Sequence, residues 1–249
     1  METEQQNKLP FLDIAVDNSN NQLTTQQLRK IGECSLTVGD QSICPVPQVK
    51  NLGVVFRSSM SPESQALTAA RSATFHLRRI GKIRRYLDID TTKLLVQSYV
   101  ISRLDYCNSL VSGAAAIQHL QFVQNRAARI ITRTKCQEHI TPVLRSLHWL
   151  PVKRRIQYKI ICITYSTLYD INSPAYLKDI IEIYRPTRVL RSEKRGSLKM
   201  PATKTSMGDR AFSAAAPALW NSLPVELRSV SSLEAFRSQL KTHLFLATY

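Results

Sequence analysis

The spacing of apolar residues along this chain changes near residue 60. Between residues 34 and 60, the apolar runs "SLTV" and "LGVVF" are short and bounded by Gly, Asp and Pro. Such runs are typical of β-strands, so we predict two strands with a "GDQS" turn region between them. From residue 62 nearly to the end, apolar residues recur at steps of three and four, which predicts helices. The pattern therefore predicts a mainly α fold, a helical bundle preceded by a small two-stranded β-hairpin.

The predicted helices differ in length and in how much of their surface is apolar. Long helices are expected at about 62–87, from Asp90 to Gly113, at about 115–134 and at 151–170. Shorter ones are expected in "EHITPVLRSLHWLP" and "SPAYLKDIIEIY", and the tail contains a helix, a "WNSLP" turn and a final amphipathic helix. The segment 151–170 is apolar on almost every side, which predicts a central, buried helix.

The stretch "SRLDYCNSL" in the second predicted helix combines an acid, an aromatic residue and a cysteine. Its helical spacing places Cys107 within a buried apolar stripe and Asp105 roughly 100° away, at the polar boundary. We therefore expect Cys107 to pack as a small hydrophobic residue. Asp88 and Asp90 form a D-x-D pair that could hold a metal, but the favoured interpretation is that Asp90 caps the second helix.

The positive charge is concentrated after residue 60. The chain of 249 residues has 34 basic and 18 acidic side chains and a net charge of +16. Residues 1–60 hold five of the basic and six of the acidic side chains, so the remainder carries +17. A field of that sign favours a polyanionic partner such as nucleic acid, because each neutralised phosphate releases counterions. The alternative is a basic protein that binds no polyanion.

Three segments combine basic and aromatic or polar residues in a way that suits nucleic acid. We define the first basic stripe as the face of the first helix that includes Phe75, and the second as the face of the third helix that includes His119 and Phe122. The basic arm is the segment 185–199, in which six basic residues accompany one acid. Arg and Lys contact phosphates, while aromatic rings stack on unpaired bases. The ten candidate binding residues are Arg71, Arg78, Lys82 and Arg85 on the first stripe, Arg126, Arg129 and Arg133 on the second, and Arg185, Arg188 and Arg191 in the arm.

Motifs for catalysis are incomplete in this sequence. No two acidic residues are adjacent, and the GxSxG, GxxxxGK[ST] and GxGxxG patterns are missing. Cys136 and His139 provide only half of a zinc-type spacing. We therefore expect no catalytic residue, no metal site and no cofactor in this chain. The five scattered cysteines favour no disulfide framework. With no apolar stretch of membrane-spanning length, we expect a soluble intracellular protein, nuclear or cytoplasmic, with no membrane partner.

Several longer segments resemble one specific family. The chain is similar, over about residues 35–246 and in the family's order, to the C-terminal part of the reverse transcriptase of jockey/CR1-like non-LTR retrotransposons (LINEs). The segments that carry the resemblance are "VKNLGVVF", "LRRIGKIRRYLDIDTTKLLVQSYVISRLDYCNSL", "VQNRAARIITRTK", "HITPVLRSLHWLPVKRRIQYKI", "YRPTRVLRS" and "GDRAFSAAAPALWNSLP".

The resemblance implies the end of a palm, a thumb and a C-terminal helical region of an RNA-directed DNA polymerase. The family's metal-binding Asp boxes precede this region, so it implies no catalytic residue here, although the parent polymerase would need Mg²⁺. The expected partners are RNA or an RNA/DNA duplex, and the missing upstream palm and endonuclease portion. The expected divisions are an atypical polar segment at 1–33, a palm hairpin at 34–60, a thumb-like helical domain at 61–184, a basic loop at 185–206 and a C-terminal helical segment at 207–249.

Two points qualify the functional expectation. Residues 1–33 depart from the family's pattern and look more like a short piece of a Penelope-like reverse transcriptase. The alternative function is a helical protein-interaction domain with no nucleic-acid role. It would present an exposed apolar stripe on the last helix, formed by Phe236, Leu240 and Leu244.

Overall fold

The computed structural model describes residues 36–38, 41–43, 46–59, 61–111, 114–170, 173–185, 196–205 and 208–249. The predicted segment 1–33 lies outside these residues, as do Arg188 and Arg191 of the basic arm. The described chain is mainly helical, and a two-stranded antiparallel sheet precedes the helices. This confirms the predicted fold class.

Two antiparallel hairpins precede the helices. The strands are β1 (Leu36–Val38), β2 (Gln41–Ile43), β3 (Gln48–Asn51) and β4 (Val54–Arg57), and they pair as β1 with β2 and β3 with β4. The prediction that "SLTV" and "LGVVF" are successive strands was therefore wrong in its pairing. The strand in "SLTV" instead pairs with Gln41–Ile43, and the strand that includes "VVF" pairs with Gln48–Asn51. Leu52 and Gly53, the first two residues of "LGVVF", form the two-residue turn between β3 and β4. Their φ values of 46° and 79° are both positive, as a tight hairpin turn requires.

Ten α-helical segments follow within the described residues. They are α1 (Glu63–Ile83), α2 (Ile89–Val96), α3 (Ser102–Asp105), α4 (Ala114–Thr132), α5 (Ile140–Ser146), α6 (Val152–Tyr169), α7 (Ala175–Ile180), α8 (Phe212–Asn221), α9 (Val225–Arg228) and α10 (Leu233–Leu246). A π-helical turn covers Gln97–Ile101, and 3₁₀ turns cover Arg84–Tyr86, Asn108–Val111 and Gly208–Arg210. Among the described residues, no helix is long and apolar enough to cross a membrane.

Helix α6 lies at the centre of one continuous core. Its buried side chains include Ile156, Ile160 and Ile161, which join a cluster that extends from α1 to α10. At the C-terminal end of α6, the rings of Tyr165 and Phe236 stack with their centroids 4.2 Å apart. Trp220 of α8 completes this aromatic group and is fully buried. The C-terminal helices therefore share their core with the preceding helical region.

The second predicted helix is divided at "SRLDYCNSL". Val96, Val100, Leu104 and Val111 are buried as the stripe predicts. Cys107, however, has a φ of 50° and is only half-buried, so its predicted place within a buried helical stripe was wrong. The two residues that precede Cys107 make contacts with distant segments. The Tyr106 hydroxyl donates to the Leu52 carbonyl in the hairpin turn, and the Asp105 carboxylate accepts from Arg155 of α6.

Helix α2 is capped by Asp88, and the prediction that Asp90 is its cap was wrong. The Asp88 Oδ2 accepts from the backbone N–H groups of Asp90 and Thr91, at 3.1 and 3.2 Å. Asp90 is the second residue of the helix and pairs with Lys93 at 3.0 Å. Hydrogen bonding from Thr91, with a smaller contribution from the N–H of Asp90, holds the pKa of Asp88 below its ordinary value of 3.8.

We expect Asp88→Ala to lower the thermal midpoint more than Asp90→Ala, because only Asp88 satisfies free N–H groups of the first turn. Since the pKa of Asp88 is lowered in the folded state, its contribution is complete above the unfolded value of 3.8. It is lost as the pH falls through the lower folded pKa. Thermal unfolding of both variants from pH 7 to pH 2 measures this. Equal midpoints at pH 7 would contradict the assignment.

Candidate nucleic-acid interface

Helices α1 and α4 lie side by side and run in the same direction. At their C-terminal ends, Arg84 donates to the carbonyls of Ile130 and Ile131, at 2.9 and 2.8 Å. One turn earlier, a Cβ on Gly81 would lie 3.6 Å from the Ile130 Cδ1 atom, so the helices pack closely here. Because each helix carries one predicted basic stripe, this packing decides whether the two stripes share a surface.

The two stripes meet across a groove between the helices. The groove has a volume of about 350 Å³ and is lined by Arg71, Phe75 and Arg78 from α1 and by His119 and Phe122 from α4. Its floor includes the buried residues Ala70 and Val123, which belong to the core. A groove with an apolar floor, a basic wall on α1 and aromatic side chains on both helices suits a ligand that is both flat and anionic.

Two phenylalanine rings are left exposed at this groove. Phe75 is 57% exposed and Phe122 is 68% exposed. Aromatic rings in such positions contribute little to the core, but they can stack on unpaired bases. The Arg79 guanidinium carbon lies 5.6 Å from the Phe75 ring centroid, so one cation already rests on this face. The stacking surface and the cations therefore occur together.

The electrostatic field of this surface is almost entirely positive. Glu63 is the only acidic residue in α1, and α4 contains none. The exposed cations of the two helices and of the residues that directly follow them are Arg71, Arg78, Arg79, Lys82, Arg85, Arg126 and Arg133. Within the part of the chain that the structure describes, none of them forms an ion pair. Their charge is therefore available to attract phosphates.

His76 adds aromatic surface beside the groove without adding charge. Its ring stacks on Tyr99 with the centroids 5.5 Å apart. Burial, followed by repulsion from Arg103 and Arg79, lowers the pKa of His76 below its ordinary value of 6.5. The lowered pKa of His76 favours its neutral form, so this side chain adds little to the positive field.

The predicted binding residue Arg129 makes several structural contacts, whereas Arg133 makes one long hydrogen bond, of 3.4 Å, to the Arg84 carbonyl. The Arg129 guanidinium donates to the carbonyls of Lys135, Cys136 and Glu138, the last at 2.7 Å. These bonds hold the loop that follows α4, where Arg133 adopts a φ of 59° as the helix ends. Arg129 is half-buried, whereas Arg126 and Arg133 are exposed. We therefore exclude Arg129 from the proposed contact set.

Arg84 is a structural arginine that the sequence analysis did not identify. Besides its two bonds to the end of α4, its Nη1 donates to the Leu87 carbonyl at 2.7 Å. A basic residue near a helix C-terminus is a sequence signal for capping carbonyls. Here the capped carbonyls belong mainly to a different helix, which only the tertiary structure can reveal.

The basic arm is described only at its two ends. Arg185 is exposed, and Ile183 forms an isolated antiparallel bridge with Leu198. The returning end is attached to α8, because Asn221 exchanges two hydrogen bonds of 2.8 Å with the backbone of Leu198. In addition, the Trp220 Nε1 donates to the Gly196 carbonyl at 3.0 Å. The arm therefore begins and ends beside the C-terminal helices.

Within the described ranges, no group of three or more His, Cys, Asp or Glu side chains is placed to hold a metal ion. Comparison of this chain with protein-family models, with curated proteins and with solved structures found no match in any of the three.

Proposed function

We propose that this chain is the end-of-palm, thumb and C-terminal helical region of a LINE-type RNA-directed DNA polymerase. In this proposal it binds RNA or an RNA/DNA template–primer duplex through the groove between α1 and α4. The observation that carries the proposal is the meeting of Arg71, Phe75 and Arg78 with His119 and Phe122 across one groove. The segments that resemble the LINE family support the same conclusion.

The dimensions of the basic surface suit a nucleic-acid backbone. From Arg71 to Arg85 the first stripe extends over about 21 Å, at about 1.5 Å per helical residue. Duplex nucleic acid has one phosphate per strand about every 3.4 Å along its axis, so this length can contact several phosphates. The exposed rings of Phe75 and Phe122 supply stacking surface for bases at a frayed end or in a single strand.

The alternative of a protein-interaction domain required an exposed apolar stripe on the last helix. The apolar stripe of α10 (Phe236, Leu240 and Leu244) is buried against the core, with none of the three more than 4% exposed. It therefore offers no free face to a partner helix. We propose nucleic-acid binding alone.

Charge reversal in the groove tests the proposal. Binding of a fluorescent 16-base-pair RNA/DNA hybrid is measured by anisotropy at several salt concentrations, for the parent chain and for Arg71→Glu/Arg78→Glu, which changes two arginines of the groove lining. We expect the variant to bind about tenfold more weakly or worse, with a log–log salt slope smaller by about two, because two phosphate contacts are lost. Both side chains are exposed, so the fold should be retained.

The matched control is Lys153→Glu/Lys204→Glu, which changes the net charge equally but lies outside the groove lining. It should weaken binding much less than the groove variant. Equal weakening by both variants would show a general charge effect and contradict the proposed interface, as would an unchanged groove variant. Adding Mg²⁺ and deoxynucleotides to the same hybrid should give no primer extension, since the chain has no Asp-Asp box.

A further inference from the structure

A second and larger cleft lies on another part of the molecule. It has a volume of about 960 Å³ and shares no lining residue with the α1–α4 groove. Its walls come from α6, from α10, from the loop at residues 147–150 that precedes α6, and from the 3₁₀ turn that contains Asn108. Part of the "SRLDYCNSL" segment therefore borders this cleft. A volume of this size is typical of small-molecule sites.

The charged groups around the cleft leave an excess of positive charge. The Asp105 carboxylate is already paired with Arg155, and Lys159 donates to the Asp105 carbonyl at 3.2 Å. Asp170 and His148 also border the cleft. On α10, Arg237 and Lys241 are exposed and four residues apart, so they lie on the same helix face. These two side chains therefore place two positive charges on one wall of the cleft.

Aromatic and amide groups line the same cleft. Trp149 and Tyr158 are both half-buried at its surface. The Trp149 carbonyl accepts a hydrogen bond of 2.8 Å from the Tyr249 hydroxyl, which holds the backbone of Trp149 in place. Asn108 is only 2% exposed, and its Oδ1 has no hydrogen-bond partner among the described residues. A hydrogen-bond donor on a bound ligand would supply the partner that this buried acceptor lacks.

We propose that this cleft binds a single nucleotide, with its phosphate at Arg237 and Lys241 and its base against Trp149 and Tyr158. Two cations on one helix face suit a phosphate, and an aromatic wall suits a planar base. An acidic peptide would satisfy the cations but offers no ring to the aromatic wall. The nucleotide is either free or the end of a strand. The inference does not depend on the α1–α4 groove, because the two sites share no residue.

The chain provides its own reporter for this site. It contains two tryptophans, of which Trp149 borders the cleft and Trp220 is fully buried in the core. Titration with AMP should quench the fluorescence of Trp149, and Trp149→Phe should remove the change while the Trp220 emission persists. Arg237→Gln/Lys241→Gln should weaken AMP binding by at least about tenfold, because both phosphate contacts are lost. Far-UV circular dichroism checks that the variants are folded.

Further titrations identify the ligand and its source. Quenching by AMP, but not by phosphate or adenosine at equal concentration, supports a free nucleotide. If only a 5′-phosphorylated trinucleotide quenches the fluorescence, and Arg237→Gln/Lys241→Gln abolishes this quenching, the ligand is the end of a strand. The Lys153→Glu/Lys204→Glu control should bind AMP like the parent chain. The proposal is overturned if neither nucleotide quenches, if tetraglutamate quenches as well as AMP does, or if the α10 variant binds unchanged.

Discussion

Phe236→Ala should lower the free energy of unfolding by about 3–5 kcal/mol, the largest effect that we expect from a single substitution. The Phe236 side chain is fully buried in α10. Its ring stacks on Tyr165 of α6 at a centroid distance of 4.2 Å and lies 6.0 Å from Trp220 of α8. Alanine would leave a cavity among three helices and remove these ring contacts. Urea unfolding followed by circular dichroism measures the change.

The control for this prediction lies on the same helix. Leu246 is 73% exposed, so Leu246→Ala should change the unfolding free energy by no more than about 0.5 kcal/mol. Because α10 shares its core with α1 to α6, the loss at Phe236 should shift one cooperative transition. A separate early transition of the C-terminal helices, with the remainder unaffected, would contradict the single core.

Arg84→Ala should destabilise the chain by about 2–3 kcal/mol, the second largest effect that we expect. The Arg84 guanidinium donates three hydrogen bonds, to the carbonyls of Leu87, Ile130 and Ile131. Alanine would leave the last carbonyls of α4 without these donors and would remove the link between the ends of α1 and α4. Lysine has no planar fork, so Arg84→Lys should recover only part of the loss. Urea unfolding of both variants measures the difference.

Arg85 provides the matched control, since it is the next residue and carries the same side chain. It is exposed, and its guanidinium carbon lies 4.6 Å from the Tyr86 ring centroid. Arg85→Ala should change the unfolding free energy by no more than about 0.5 kcal/mol. If the two alanine variants were equally stable, the hydrogen bonds of Arg84 to α4 would not hold these helices together.

The sequence pattern predicted the helices better than it predicted their ends and partners. Steps of three and four placed the buried residues of α1 and the central position of α6 correctly, because helical periodicity reports which face avoids water. The break at Cys107 was missed, since it depends on Tyr106 reaching a hairpin turn 54 residues earlier. The cap of α2 was assigned to Asp90 instead of Asp88, because the two residues lie two positions apart and either could cap a helix.

For the candidate site too, the sequence predicted some features and could not predict others. Charge and spacing were enough to identify both basic stripes as candidate surfaces. They could not separate Arg129, whose donors reach the carbonyls of the following loop, from Arg126, which is exposed. Nor could they show that the stripes line one groove, because periodicity describes each helix alone and contains no information about its neighbours.

By itself, the sequence determined that this chain is mainly helical, that its positive charge follows residue 60, and that two helices carry basic and aromatic residues on one face. Only the tertiary structure decided that these faces meet in one groove, that Arg84 joins α1 to α4, and that the apolar stripe of α10 is buried. The physical reason is that local spacing selects the face a helix buries, whereas the packing of distant segments selects what that face contacts. The Arg84 bond to Ile130, across 46 residues of chain, is a contact of the second kind.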